Sequence, residues 1–423
     1  MSQLVPHSWR ERWAWAFYDW ANSAFITTVV VVLFPVFFRS YWAQEVPSTE
    51  VTLYLGNANS FASLVITLLA PFLGAIADRS GRKKPMLASF MIVGVLATFT
   101  LSLIGQGQWL LALIAFALGF IGFLGGNIFY DSLLVDVSEE KDFNRVSALG
   151  YSLGYLGGGV WLIISVLLAL HPEWFGLVDK TTGVQVAFAG TALWWALFSI
   201  PLFFQVRERP VEPASNVAFF TLIKQAACDF LDTFRQIRQY RAIALFLLAY
   251  WFYIDGVDTI VVMAVDYGQS LGLPTDSLIQ AIIITQFTAF PAALLFGWIG
   301  TRYSAKTGIM IGILGYVLIT LGATQMQTAI HFYLLAFSVG LFQGGIQALS
   351  RSYFASLIPA DQAAKFFGFY NMLGKFAAVL GPLLVGWASY LTQSNRIGLL
   401  SLLILFVLGG LVLWFVPNHQ QKS

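Results

Sequence analysis

Charge is what this chain has least of. Only 10% of its 423 residues are Asp, Glu, Lys or Arg, against about a quarter in an ordinary soluble domain. Cysteine occurs once, at Cys228, so no internal disulfide and no cysteine-based zinc cluster can form. The four histidines, His7, His171, His331 and His419, fall in loops or at the ends of apolar runs. Neither a metal site nor a cofactor is therefore expected. The formal net charge of +2 excludes the broad electrostatic footprint of a nucleic-acid binder. No glycine-rich loop ending in Lys and Ser or Thr is present, which argues against direct drive by a nucleoside triphosphate.

What the chain does have is long apolar runs, and 58% of its residues are hydrophobic. Crossing a bilayer takes about 20 apolar residues as a helix. Twelve runs qualify: 13–38, 57–77, 85–104, 109–134, 146–170, 184–205, 242–265, 277–299, 307–326, 331–356, 366–391 and 397–416. Membrane strands would be about half as long and strictly alternating, and these runs are neither. The chain therefore reads as an all-α membrane protein with twelve transmembrane helices. The first run is too long for the apolar core of a secretory leader and contains Asp19, so it reads as a span that is retained.

Basic residues orient the spans. With both termini on one side, nineteen of the 23 Lys and Arg residues fall on that side. Arg39, Lys180 and Arg396 fall on the other, and Lys375 lies inside a span. An excess of this kind marks the cytoplasmic face. The longest polar interval, 206–241, separates spans six and seven. Within it Phe219, Phe220, Ile223, Phe230, Phe234 and Ile237 recur at helical spacing, as in an amphipathic helix lying on a membrane surface.

The chain repeats itself. Asp19, Asn22 and Ser23 open a pattern that returns as Asp255, Asp258 and Thr259. A second constant offset relates Gly125 to Gly345, Asn127 to Gln347, Asp131 to Arg351, Arg145 to Lys365 and Gly154 to Gly374. Two six-helix halves follow, at 1–206 and 242–423, joined by a linker at 207–241. Transporters built from such repeats hold their solutes near the midplane, between the halves.

The loop from Gly74 to Lys84 reads GAIADRSGRKK. It resembles the signature loop of the major facilitator superfamily between its second and third spans. The segment from Trp15 to Phe25, with Gly150 to Gly159 and Phe367 to Gly381, is similar to a branch of unknown substrate within that superfamily. That branch is related to the fungal autophagy-associated vacuolar amino-acid effluxers. The resemblance touches both halves and implies the major facilitator fold and transport by alternating access. In the loop, Gly74 allows close helix packing and Gly81 a tight turn. Asp78 suits the positive end of a neighbouring helix. Arg82 is expected to pair with Asp131 or Asp136, and Arg79 and Lys83 complete the set. Asp131 and Arg351, at equivalent inner ends of spans four and ten, are expected to gate by pairing with the loops.

Charges inside spans are costly and usually functional. Asp19 lies about 13 Å beyond Arg10 along a helix, and Lys375 is at similar depth. Lys375 either pairs with a carboxylate or receives one from a substrate. Asp255 and Asp258 share a helix face. They either hold a proton between them or support a break near Gly256. Asp19 and Asp255 are expected to face each other across a central cavity. Asn22, Tyr151, Tyr155, Tyr370 and Asn371 complete the candidate lining, and the tyrosines could hold an ammonium group. Gly150-Tyr151-Ser152-Leu153-Gly154 matches a hydrolase pattern, but it lacks the strand-to-helix turn that chemistry requires. Its glycine spacing suits helix packing.

These residues describe a secondary active transporter, not an enzyme. Its partners would be a small polar solute, protons and the lipid bilayer. The resemblance points to amino acids. The expected protein is a monomer in the bacterial inner (plasma) membrane, with both termini cytoplasmic. The rival reading is a receptor or scaffold that keeps the fold without transport.

Overall fold

The computed structural model describes residues 8–208, 240–270 and 274–417. Most of the linker at 207–241, with its amphipathic segment, lies outside the described residues. Among the described residues twelve helices are long and apolar enough to cross a membrane: α1 Trp9–Trp42, α2 Leu53–Ser80, α3 Lys83–Leu101, α4 Trp109–Val137, α5 Glu140–Leu170 and α6 Lys180–Gln205 in the first half, then α7 Arg241–Val261, α8 Ser277–Arg302, α9 Ala305–Ala323, α10 Ala329–Leu357, α11 Ala360–Thr392 and α12 Arg396–Trp414 in the second. Every run picked from the sequence is one of these helices. They form an integral membrane protein. Side chains such as Leu68, Leu103, Leu314 and Leu411 stay exposed on the outer surface, where lipid tails are the solvent.

The first helix is longer than its apolar run and is wound in two ways. It opens with a reciprocal cap: the Ser8 hydroxyl accepts from the Glu11 N–H, and the Glu11 carboxylate accepts from the Ser8 N–H. From Phe25 to Leu33 and again from Phe38 to Trp42 it widens to five-residue hydrogen bonding. Between them Pro35 supplies no N–H. Such widened turns are rare and often mark functional sites.

The two halves are built alike. At the start of the third helix of the first half, Lys84 Nζ donates to Val206 O just past α6, at 2.6 Å. In the second half Lys306 Nζ donates to Trp414 O and Val416 O at the end of α12, at 2.9 and 2.7 Å. Each lysine satisfies carbonyls that a helix end leaves open.

The halves meet where α5 packs on α8 and α10, and where α11 packs on α2 and α4. The approach of α2 to α11 is close. A Cβ on Gly74 would run into Ala364 O, and one on Gly368 would run into Ala70 O. Polar contacts between the halves cluster at one end of the bundle, where α2 turns into α3, α4 into α5, α8 into α9 and α10 into α11, and Gln286 of α8 also donates to Thr27 of α1 at 3.1 Å farther along. This end carries most of the lysines and arginines and is called the basic end below.

Candidate functional site

Buried polar contacts form three levels, two between the halves and one within the second half, and the outermost is the loop joining α2 to α3. Gly81 ends α2 in the left-handed region, φ 61°, which costs glycine nothing. Asp78, one turn earlier, is buried. Its two carboxylate oxygens accept the backbone N–H groups of Ala364 and Lys365 at 3.0 and 2.7 Å. These N–H groups lie in the first turn of α11, where a helix leaves donors open, so an acid of one half closes the helix end of the other. Lys83 pairs with Asp136 at 2.8 Å, both buried.

This corrects the pairing read from the sequence. Arg82 takes neither Asp131 nor Asp136. The turn at Gly81 leaves it exposed, and its own N–H bonds back to Ala77 O. The neighbouring Lys83 has the inward register. Glu208, three residues beyond α6, accepts the N–H groups of Lys83 and Lys84 at 2.9 and 2.8 Å, closing the start of α3. Sequence reasoning missed it because nothing local links it to a loop 124 positions away.

The second level is centred on Arg351. This side chain leaves α10 and enters the first half, 1% exposed. Its Nε donates to Ser147 Oγ at 2.9 Å and its Nη2 to Ser147 O at 2.9 Å. Nη1 donates to Asp131 Oδ1 at 3.1 Å, and both Nη atoms lie 3.3 Å from Asp19 Oδ2. The guanidinium also lies over the rings of Tyr151, Trp15 and Tyr130, at 4.2, 4.8 and 5.4 Å. Tyr130 donates to Asp19 at 2.8 Å, and Asn371 of α11 donates to Asp131 at 3.1 Å.

Glycine makes room for this cluster. A Cβ at Gly150 would crowd Asp19 Oδ2, Arg351 Nη2 and Tyr130 Oη. Gly154 and Gly158 continue the same face of α5 against Ser23 and Thr27 of α1. The Gly-x-Ser-x-Gly stretch is a seat for α1. Within the seat Ser152 donates to Phe290 O of α8 at 3.0 Å. Asp131 and Arg351, expected to reach for the loops, instead bond each other across the halves.

The third level lies in the second half. Asp255 is fully buried, and both of its oxygens lie 3.0 Å from the N–H of Gly381; Thr259 donates to it at 3.4 Å. Gly381 precedes Pro382, the proline inside α11, where helical hydrogen bonding is interrupted. The acid therefore braces α11 beside its proline, and no helix break stands at Gly256, which lies inside the unbroken α7. Asp19 and Asp255 do not face each other: one holds Arg351, the other α11. Asp258, one turn along α7, is the acid that acts electrostatically on Lys375.

Aromatic rings stack on one another within the second half. Tyr250 stacks on Tyr370 with centroids 4.2 Å apart, and Tyr370 on Phe354 at 5.0 Å. Tyr155 donates to Gln347 at 2.7 Å, and Asn22 to Asn127 at 2.8 Å. Tyr316 carries a buried hydroxyl with no protein partner among the described residues, and it lies within the electrostatic reach of Asp258. Sequence reasoning missed Tyr130, Ser147, Tyr250 and Tyr316, because aromatic and hydroxyl residues are common throughout the spans and only packing selects these. Among the described residues no group of His, Cys, Asp and Glu could hold a metal ion.

Twelve spans in two like halves, closed on each other at one end by buried polar contacts, define a membrane protein of the major facilitator type. Solved structures agree. The human organic anion transporter MFSD10 (TETRAN) matches with a TM-score of 0.72 at 14% identity, over 96% of this chain and 99% of that one. The transporter FucP in its outward conformation matches with a TM-score of 0.72 at 12% identity, over 99% and 100%. The family model described as "Vacuole effluxer Atg22 like" matches residues 44–142 and 135–423. YxiO of Bacillus subtilis (strain 168), described as an uncharacterized MFS-type transporter, is 42% identical over 97% of this chain and 95% of its own length. Autophagy-related protein 22 of Yarrowia lipolytica (strain CLIB 122 / E 150) is 29% identical over 66% of this chain and 51% of its own. The chain belongs to the Atg22-like family of major facilitator transporters.

Proposed function

We propose that this protein is a secondary active transporter that moves a small zwitterionic solute, an amino acid, by alternating access linked to protons. The observation that carries the reading is the closure between the halves at the basic end. Asp78 on the first turn of α11, and Arg351 on Asp19 and Asp131, are polar contacts that water can replace when the halves part. Closure there leaves solute entry to the opposite end, the conformation named for FucP.

Lys375 and Asp258 supply opposite charges within one half. A zwitterion placed between them would offer its carboxylate to Lys375 and its ammonium group to Asp258. The Tyr316 hydroxyl and the faces of Tyr155 and Tyr250 stand nearby for hydrogen bonding and cation–π contact. The description of the family, "Vacuole effluxer Atg22 like", supports efflux as the direction. The excess of basic residues on the terminal side supports cytoplasmic termini in a bacterial plasma membrane.

The test is a panel of amino acids on purified protein, scored by thermal stabilisation, then flux into liposomes with and without a pH gradient. Stabilisation and flux by an amino acid, both lost in Lys375→Gln, are the expected result. Stabilisation without any flux would favour a receptor, and no stabilisation by any amino acid would overturn the substrate class.

A further inference from the structure

Arg351 is a cation lent by one half to the other. Among the described residues its polar partners, Asp19, Asp131 and Ser147, belong to α1, α4 and α5 of the first half. The carboxylates that receive it come in a pair, so one positive charge serves two acids in a buried site. Tyr130 and Asn371 each donate one hydrogen bond to this pair, and Tyr151 lies on the guanidinium. Among the described residues, the titratable or charged groups facing the site are Tyr18 and Asp19 from α1, Tyr130 and Asp131 from α4, Tyr151 and Tyr155 from α5 and Arg351 from α10, and α11 brings the neutral Asn371 to Asp131.

Opening the basic end must withdraw α10 from the first half, and Arg351 goes with it. Two acids then remain side by side without the charge that favoured their ionised form, and neighbouring carboxylates resist double ionisation. We propose that Asp19 and Asp131 form a cation-exchange site. Arg351 fills it while the basic end is closed, and protons fill it when that end opens. The exchange balances: Arg351 departs with its charge into entering water, and each proton taken up neutralises one carboxylate. This places proton linkage on the Arg351 pair and not on Asp255, whose carboxylate is committed to the Gly381 N–H. It rests on the alternating-access reading above.

The sign follows from linkage. The open state binds more protons, so acid favours opening. The opening constant should rise up to about tenfold per pH unit for each proton linked to it. The experiment uses the full chain with Cys228→Ser, Lys141→Cys and Tyr303→Cys, carrying nitroxides at the two cysteines on opposite halves of the basic end. Their distance distribution is read by double electron–electron resonance from about pH 5 to about pH 8, a window in which carboxylates at perturbed sites titrate. The expected result is a long-distance population that grows as pH falls.

Asp19→Asn with Asp131→Asn should shift the population toward open and remove its pH dependence. Asp131→Asn alone, the milder change, should keep part of the slope. A flat wild-type response, or a double variant with the wild-type slope, would overturn the proposal. So would a shift driven by sodium at fixed pH, which would assign the site to a metal cation. Amino-acid flux into liposomes is measured alongside. Its absence would sink the transport reading, while the distance measurement still decides the exchange site.

Discussion

Arg351 donates to Asp131 at 3.1 Å, and the two residues hold equivalent positions in the two halves, 220 apart in sequence. A repeat would by default place the same residue at both positions. Here one copy carries the acid and the other the base, so the pseudo-symmetric approach of α4 and α10 becomes a bond.

Removing Arg351 should therefore cost more than removing either acid. Arg351→Gln leaves two buried carboxylates uncompensated, and breaking such a pair costs about 3–5 kcal/mol. Thermal unfolding in detergent should show a large fall in Tm for Arg351→Gln. Asp131→Asn should fall less, because Asp19 still receives the guanidinium. Equal losses for both variants would mean that the cluster is not a shared pair.

Asp255 should behave as a structural acceptor. Asp255→Ala leaves the Gly381 N–H unpaired in a buried place, at a cost of about 1–3 kcal/mol. Asp255→Asn keeps an acceptor oxygen and should be milder. Both variants should retain the response of transport to a pH gradient. A pH-independent Asp255→Asn transporter would return this acid to the coupling machinery.

Lys375 and Asp258 should be coupled in ligand binding. Lys375→Gln and Asp258→Asn are each expected to abolish stabilisation by amino acids. The double variant should regain part of the thermal stability of the free protein without regaining ligand response, since it leaves no lone buried charge. A double variant that binds as well as wild type would remove the pair from the substrate site.

Gly74 tests the closed basic end by shape. A Cβ there would overlap Ala364 O, and overpacking typically costs about 1–3 kcal/mol. Gly74→Ala should weaken the closed state, read as easier labelling of a cysteine placed at Ala364. Unchanged protection of that cysteine would mean that α11 yields without opening.

Much of this was legible in the sequence because the bilayer imposes simple rules. Length and apolarity marked all twelve helices, and their bounds moved most at α1, where capping at Ser8 and wide turns extend the helix past its apolar run. The role of Asp78 was also legible, because an acid one turn before Gly81 has few neutralising partners other than a helix start. The partner of Arg82 was not, since a single left-handed residue reverses which of two adjacent basic side chains points inward. Nor was the division of labour among the acids. Asp19 and Asp255 are equivalent in the repeat, yet one sits beside a glycine seat that admits Arg351 and the other against the Gly381 N–H next to Pro382.

The sequence by itself determined the class of this protein: its spans, its repeat and the loop that marks its family. Those follow from composition and spacing along one chain, because burying a backbone in lipid leaves helices as the solution for such long apolar runs. Only the tertiary structure decided which charges meet. Pairing depends on how α1, α4, α5, α7, α10 and α11 approach in space, and on small features at their contacts, such as Gly150 and Pro382. Residues hundreds of positions apart compete there for one cation or one N–H, and no local pattern records the outcome.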